Sequence, residues 1–168
     1  MIATRKTWEG RKGLNRKDKL TIAEKFSAAI WAVADSGGMA VSLNLGTARE
    51  SMLRGHQNPR RRMTQNLSKL LSSAGLGHIP YAFVFEVTPK KEGERLHLHG
   101  AVDTSGLSPT QIGLLRRALV KASSEATGAI GGKRQLDLTP LYNPAGWADY
   151  LLDDTPTTKR VLGLDNPF

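Results

Sequence analysis

Four strand-like runs separated by helical ones predict an α+β chain, and their order predicts how they assemble. From the first strand onward the order is strand, helix, strand, strand, helix, strand, and then one more helix. That is the order of a ferredoxin-like, split β-α-β sandwich with a central antiparallel sheet and a C-terminal helix carrying a tyrosine. Two observations anchor it. Met39, Val41, Leu43 and Leu45 alternate with Ala40, Ser42 and Asn44, the period of a strand with one face in a core and one facing out. Residues 81–87 and 96–102 form two more such runs, joined by Pro89, Lys90, Lys91, Glu92 and Gly93, a connector short enough for an antiparallel hairpin.

The remaining elements follow in chain order. Residues 1–20 are polar and basic without apolar periodicity, which predicts a flexible basic arm ahead of one domain at 21–168. Thr21 to Ala34 places Ile22, Phe26, Ile30 and Val33 at helical spacing, and Gly37 and Gly38 stop it. Gly46 to Gln57 reads as a short helix or ordered loop. Asn58 and Pro59 open a helix through Ser72, proline being suited to a first turn. Ser108 and Pro109 open another to about Thr127, with Ile112, Leu115 and Leu119 on one stripe. Gly128 to Gly132 is a break, and Arg134 to Tyr142 is the fourth strand. Asn143 and Pro144 cap the last helix, which runs through Asp154 until Pro156 ends it.

A chain of 168 residues is long enough to bury a core in one domain. It contains no apolar run of bilayer length, and its basic start does not resemble a secretory signal. The absence of cysteine excludes disulfides and thiolate metal sites and is compatible with a reducing cytoplasm. A net charge of +9 favours a polyanionic partner, nucleic acid before membrane. The charge is concentrated: residues 1–25 carry eight Lys and Arg against three acids, and 49–69 carry six against one. Arg60, Arg61 and Arg62 sit in a helix's first turn, where positive charge opposes the helix dipole and nearby phosphates would relieve it.

His97 and His99 carry the most chemical information. Two residues apart in a strand, they share a face at roughly 6.5–7 Å, while Leu96 and Leu98 point into the opposite layer. Gly100 is read as leaving room beside the second imidazole for a bulky group. A symmetric hairpin about Lys91 and Glu92 puts Glu86 opposite His97, where facing residues share a face. A carboxylate in an apolar run is costly unless paired or bound to metal, so His97, His99 and Glu86 are candidate ligands for one divalent ion. The alternative is an exposed face on which Glu86 pairs with Lys or Arg and the histidines are solvated.

In the last helix, Trp147 and Leu151 are spaced to face the sheet, and Tyr150 and Asp154 share the neighbouring stripe. A tyrosine near a His-bound metal suggests phosphoryl transfer, its phenol attacking a phosphodiester to give a covalent phosphotyrosine. The alternative is a tyrosine packed in the core with its hydroxyl at the rim. Tyr142 precedes the helix and is expected to pack against the strand end.

Three motifs match a known family in order. Ala40-Val41-Ser42-Leu43-Asn44-Leu45 resembles the first-strand motif of the HUH endonuclease superfamily. Leu96-His97-Leu98-His99-Gly100, with Glu86 upstream, resembles its metal motif. Gly146-Trp147-Ala148-Asp149-Tyr150-Leu151-Leu152 resembles the helix bearing its nucleophile. Within that superfamily the chain resembles in particular the small rolling-circle replication initiators of plasmids and single-stranded DNA phages, over roughly residues 39–155.

The resemblance implies that 21–168 is an HUH-like nuclease domain. Its activity would be a site-specific single-stranded DNA nickase and strand transferase, with Tyr150 as the one nucleophile and Mg²⁺ or Mn²⁺ on His97, His99 and Glu86. DNA would be held by Arg60, Arg61 and Arg62, by Ser42 and Asn44 of the first strand, and by Lys159 and Arg160. The implied partners are single-stranded DNA at a replication origin, a host helicase and a host polymerase, with no membrane and no small-molecule organic cofactor. Many relatives have a lysine three residues after the tyrosine. Here that position is Asp153, so its role passes to Lys159 or Arg160 or is missing, and Asp154 is a further possible ligand. Two other readings stay open: a nucleic-acid-binding module without chemistry, and a two-histidine, one-carboxylate metalloenzyme acting on a small molecule.

Overall fold

The structure, a computed structural model, describes residues 20–90, 93–124, 135–153, 158 and 162. The expected basic arm as far as residue 19, the expected turn at Lys91 and Glu92, the expected break at Gly128–Gly132, and Asp154, Pro156, Lys159 and Arg160 lie outside them. Within them are five helices and four strands: α1 (Ile22–Asp35), β1 (Met39–Asn44), α2 (Thr47–Arg54), α3 (Pro59–Ser73), β2 (Tyr81–Lys90), β3 (Gly93–Val102), α4 (Pro109–Ser123), β4 (Leu136–Pro140) and α5 (Pro144–Asp153). The strands form one wholly antiparallel sheet in the order β2-β3-β1-β4.

Local sequence explains the ends of most elements. Thr21 and Glu24 form a reciprocal capping box at the start of α1, and Ser108 and Gln111 do the same for α4. Asn58 Oδ1 accepts from Arg61 N at 2.9 Å, with Pro59 in the first turn of α3. Gly37 takes φ +81, which lets the chain leave α1 and turn into β1. Helix α4 stops at Ser123 rather than near Thr127. The Ser123 and Ser124 hydroxyls both turn back to the Val120 carbonyl, and Ser124 is extended.

Each sheet face has its own helical cover. On one face Val41, Leu43, Phe85, Leu96 and Leu98 meet Met63, Leu67 and Leu71 of α3 and Leu115 and Leu119 of α4. On the other, Val84 and Ala101 meet Phe26, Ile30 and Val33 of α1 and Ala148 and Leu151 of α5. The alternation in β1 predicts that this second face points outward; instead Ala40 is buried and Ser42 half-buried. That face is thus apolar and covered at the Ala101 end of β3 and polar at the His97 end. Helix α5 straddles the boundary.

Beyond Asn44 the first strand leaves the sheet, and a carboxylate replaces its backbone. Glu50 of α2 accepts from Leu96 N at 3.1 Å, from Arg95 Nε at 2.9 Å and from Arg54 Nη2 at 2.8 Å. Burial pushes the Glu50 carboxyl up, but Arg54, the Leu96 N–H and Arg95 pull it further down, below the ordinary carboxylate value. A carboxyl lowered on folding stabilises the fold above its unfolded pKa of about 4.5, and that contribution is lost as pH falls through its folded value. Glu50→Gln should therefore lower stability by about 2 kcal/mol at pH 7. In urea melts, the gap from wild type should shrink as pH drops below about 4.5. A gap independent of pH would show that the charge is not what matters.

A candidate metal and tyrosine site

The register of the hairpin builds the site. Glu86 pairs with His97 and Val84 with His99, while on the other side of β3 Asn44 pairs with His97 and Ser42 with His99. Facing residues of paired strands share a face, so Glu86, His97, His99, Ser42 and Asn44 all lie on the polar end described above. The two imidazole centroids are 6.0 Å apart. Leu96 and Leu98 are buried on the opposite side, as the alternation predicts.

Both imidazoles are held through Nδ1. The Asn44 Oδ1 atom accepts from His97 Nδ1, and Ser42 Oγ lies 3.0 Å from His99 Nδ1. An amide oxygen can only accept, so His97 carries a proton on Nδ1. A serine hydroxyl can donate or accept. His99 can accordingly hold a proton on Nε2 or present a lone pair there. Such Nδ1 partners are what orient a metal-ligating histidine.

Glu86 joins the tyrosine helix to this pair. Its Oε2 is 2.9 Å from His99 Nε2, and its Oε1 accepts from Tyr150 Oη at 2.9 Å. The Glu86 and His99 side chains are each only 13 % exposed, so the picture of a solvated face with Glu86 on a lysine or arginine does not describe them. Burial pushes the Glu86 carboxyl up; the hydrogen bond and charge of His99, the Tyr150 hydroxyl and the charge of His97 outweigh it and hold the carboxyl below its ordinary value.

Tyr150 is half exposed and stacks on Trp147, with centroids 5.5 Å apart and planes 18° from parallel. Both rings stand edge-on to His99, at 6.2 Å for Tyr150 and 5.8 Å for Trp147. Trp147 Nε1 donates to the Gly100 carbonyl at 2.8 Å. Two expectations need correction. Gly100 does not leave space beside His99. A Cβ there would stand 1.9 Å from the Ala82 carbonyl oxygen and 2.7 Å from the Phe83 ring, so the glycine serves close packing of β3 on β2. Tyr142 does not pack on the strand end either: it is 88 % exposed, and its neighbour Leu141 takes the contact with the core.

Among the described residues, no three His, Asp or Glu side chains are already gathered as a metal cage. Glu86 and His99 nevertheless have a ligand pair's spacing. Donors in neighbouring positions of an octahedral Mg²⁺, each about 2.1 Å from the ion, lie about 3 Å from each other. The Nδ1 contacts point the same way, since a partner on Nδ1 is what orients an imidazole for coordination through Nε2. The donor set, imidazole plus carboxylate without sulfur, suits Mg²⁺ or Mn²⁺. The residues present therefore fit such an ion, with His97 as the third candidate beside them.

The nucleic-acid candidates separate into two groups. Ser42 and Asn44 are in the site, against the imidazoles. Arg60, Arg61 and Arg62 are exposed at the start of α3, in the helical layer on the other face. Arg60 reaches the sheet edge, where it lines a cleft of about 440 Å³ with Ile22, Lys25, Tyr81 and Phe83. Binding of single-stranded DNA should weaken with salt, and the slope of log K against log salt should fall by about 0.7 for every phosphate the protein no longer neutralises. Changing all three arginines to alanine should lower both affinity and slope. An unchanged slope would mean that the block is only a solvated helix end.

Sequence reasoning missed Trp147 as part of the site and missed Ser42 and Asn44 as partners of the histidines. The signal for the latter was present, since both lie on the outward parity of β1. Among the described residues no helix is long and apolar enough to cross a membrane. No protein-family model, curated protein or solved structure matches the chain.

Proposed function

We propose that this chain is a metal-dependent, site-specific nickase and strand transferase for single-stranded DNA, of the HUH endonuclease type, acting at a replication origin in the cytoplasm. The observation that carries the proposal is the 2.9 Å bond from Tyr150 Oη to Glu86 Oε1, which sets a phenol against the carboxylate of the His97–His99 face. The strand order β2-β3-β1-β4, in which β1 lies between β3 and β4 and β3 between β1 and β2, supports a ferredoxin-like arrangement of the sheet.

His97, His99 and Glu86 would hold Mg²⁺ or Mn²⁺, which as a Lewis acid neutralises charge on a non-bridging phosphate oxygen. The chain's own residues supply the rest. Tyr150 is half exposed, and DNA would approach its oxygen from the solvent side. Its proton already points at Glu86 Oε1, which gives the phenol somewhere to lose it as the oxygen attacks phosphorus. The new Tyr–O–P bond forms while the P–O3′ bond breaks, and the departing 3′ oxygen takes up a proton. The products are a 5′-phosphotyrosine and a free 3′-hydroxyl. A host polymerase would extend that hydroxyl, with unwinding left to a host helicase. Reversal of the same step by another 3′-hydroxyl rejoins the strand.

The test is to incubate the full chain with a pool of single-stranded oligonucleotides, with Mn²⁺ or with chelator, and to weigh the intact protein. A mass gain equal to a 5′-phosphorylated fragment, in the metal sample alone, is the expected result. A protein that binds the pool but neither cuts nor gains mass is a binding module, and the proposal fails.

A further inference from the structure

We infer that Trp147 is a positioning residue for Tyr150, an inference that rests on the phosphotyrosine reading above. Tyr150 is a poor nucleophile holder by itself. Its ring is half exposed at the end of a side chain with two rotatable bonds, and the hydrogen bond to Glu86 fixes only its tip. Trp147, three residues earlier on α5, lies on the same side of the helix and stacks on the ring 18° from parallel. The indole fixes the plane of the phenol, and the carboxylate fixes its azimuth.

The indole is itself anchored, and to the strand that matters. Its Nε1–H donates to the carbonyl of Gly100, the residue after His99, at 2.8 Å, and its edge meets the His99 ring at 5.8 Å. One side chain thus ties the nucleophile's helix to the histidine strand. Tryptophan makes both contacts at once, the stack and the bond to β3. Phenylalanine would keep a stack but lose the bond to β3, and a smaller residue would lose both. A misplacement of about 1 Å at a reacting atom costs roughly a hundredfold in rate.

The test uses full-length Trp147→Ala and Trp147→Phe proteins with three readouts. These are the single-turnover rate of adduct formation, the oligonucleotide Kd, and nitration of Tyr150 by tetranitromethane scored against the exposed Tyr142 in the same sample. Trp147→Ala should slow adduct formation about a hundredfold, with Kd within twofold of wild type. Nitration of Tyr150 should rise toward that of Tyr142. Trp147→Phe should recover part of the rate and part of the shielding.

Unchanged rate and nitration in Trp147→Ala would overturn the inference. So would a loss of rate matched by an equal loss of binding, the mark of a generally loosened fold. If Trp147→Ala does not fold, Trp147→Phe decides alone: a slower rate at constant Kd supports the role and a wild-type rate removes it. If wild type itself never forms an adduct, the phosphotyrosine reading fails separately. Nitration then still decides whether the indole positions the phenol.

Discussion

Replacing Tyr150 by phenylalanine should abolish both strand cleavage and the covalent adduct, a loss of about 10⁴-fold or more of the kind seen when a nucleophile is removed. The substitution keeps the ring and its stack on Trp147 and deletes one hydroxyl, the donor to Glu86. Because the phenol is half exposed, the bond contributes little to the fold, and stability should change by less than about 1 kcal/mol. Binding of Mn²⁺ and of oligonucleotide should survive. Tyr142→Phe is the matched control; its ring lies in solvent, and the variant should cut normally. An adduct on the Tyr150→Phe protein would place the nucleophile elsewhere. Cleavage by wild type without any adduct would point to an activated water in place of the phenol.

What the sequence revealed of this site followed from short-range geometry. The period of two in β3 placed His97 and His99 together and Leu96 and Leu98 in the core, and no tertiary contact can reverse that parity. A symmetric fold-back of the connector about Lys91 and Glu92 puts Glu86 opposite His97, and the observed register has that pairing. The missing parts are long-range. That Asn44 meets His97 depends on how β1 docks on β3, 53 residues away, and no local turn dictates that alignment. The burial of Ala40 and Ser42 could not be read from β1, whose alternation looks the same whether its second face meets water or a helix. Glu50 was invisible for a similar reason: its value lies in a backbone N–H left open where β1 departs. The early end of α4 at Ser123 was local but ambiguous, since serine both tolerates helix and competes with it.

The second large effect concerns the histidines, and it separates two roles for their neighbours. His97→Ala and His99→Ala should each reduce Mn²⁺ affinity by about a hundredfold or more and remove metal-dependent cleavage. The fold should persist, because the core beneath them is built from Leu96 and Leu98 on the other face of β3. Asn44→Ala and Ser42→Ala are the informative companions. Each removes only the partner of an Nδ1 atom, and loss of such an orienting bond typically lowers metal affinity roughly ten- to a hundredfold. If Asn44 and Ser42 instead contact DNA, as the resemblance of this segment to the HUH first-strand motif implies, Mn²⁺ titrations without DNA will be unchanged and only oligonucleotide affinity will fall. Calorimetry with metal alone therefore distinguishes the roles before any cleavage is measured. Should neither His→Ala change alter Mn²⁺ affinity, no ion is held on this face, and the Glu86–His99 pair is a structural contact that aims Tyr150.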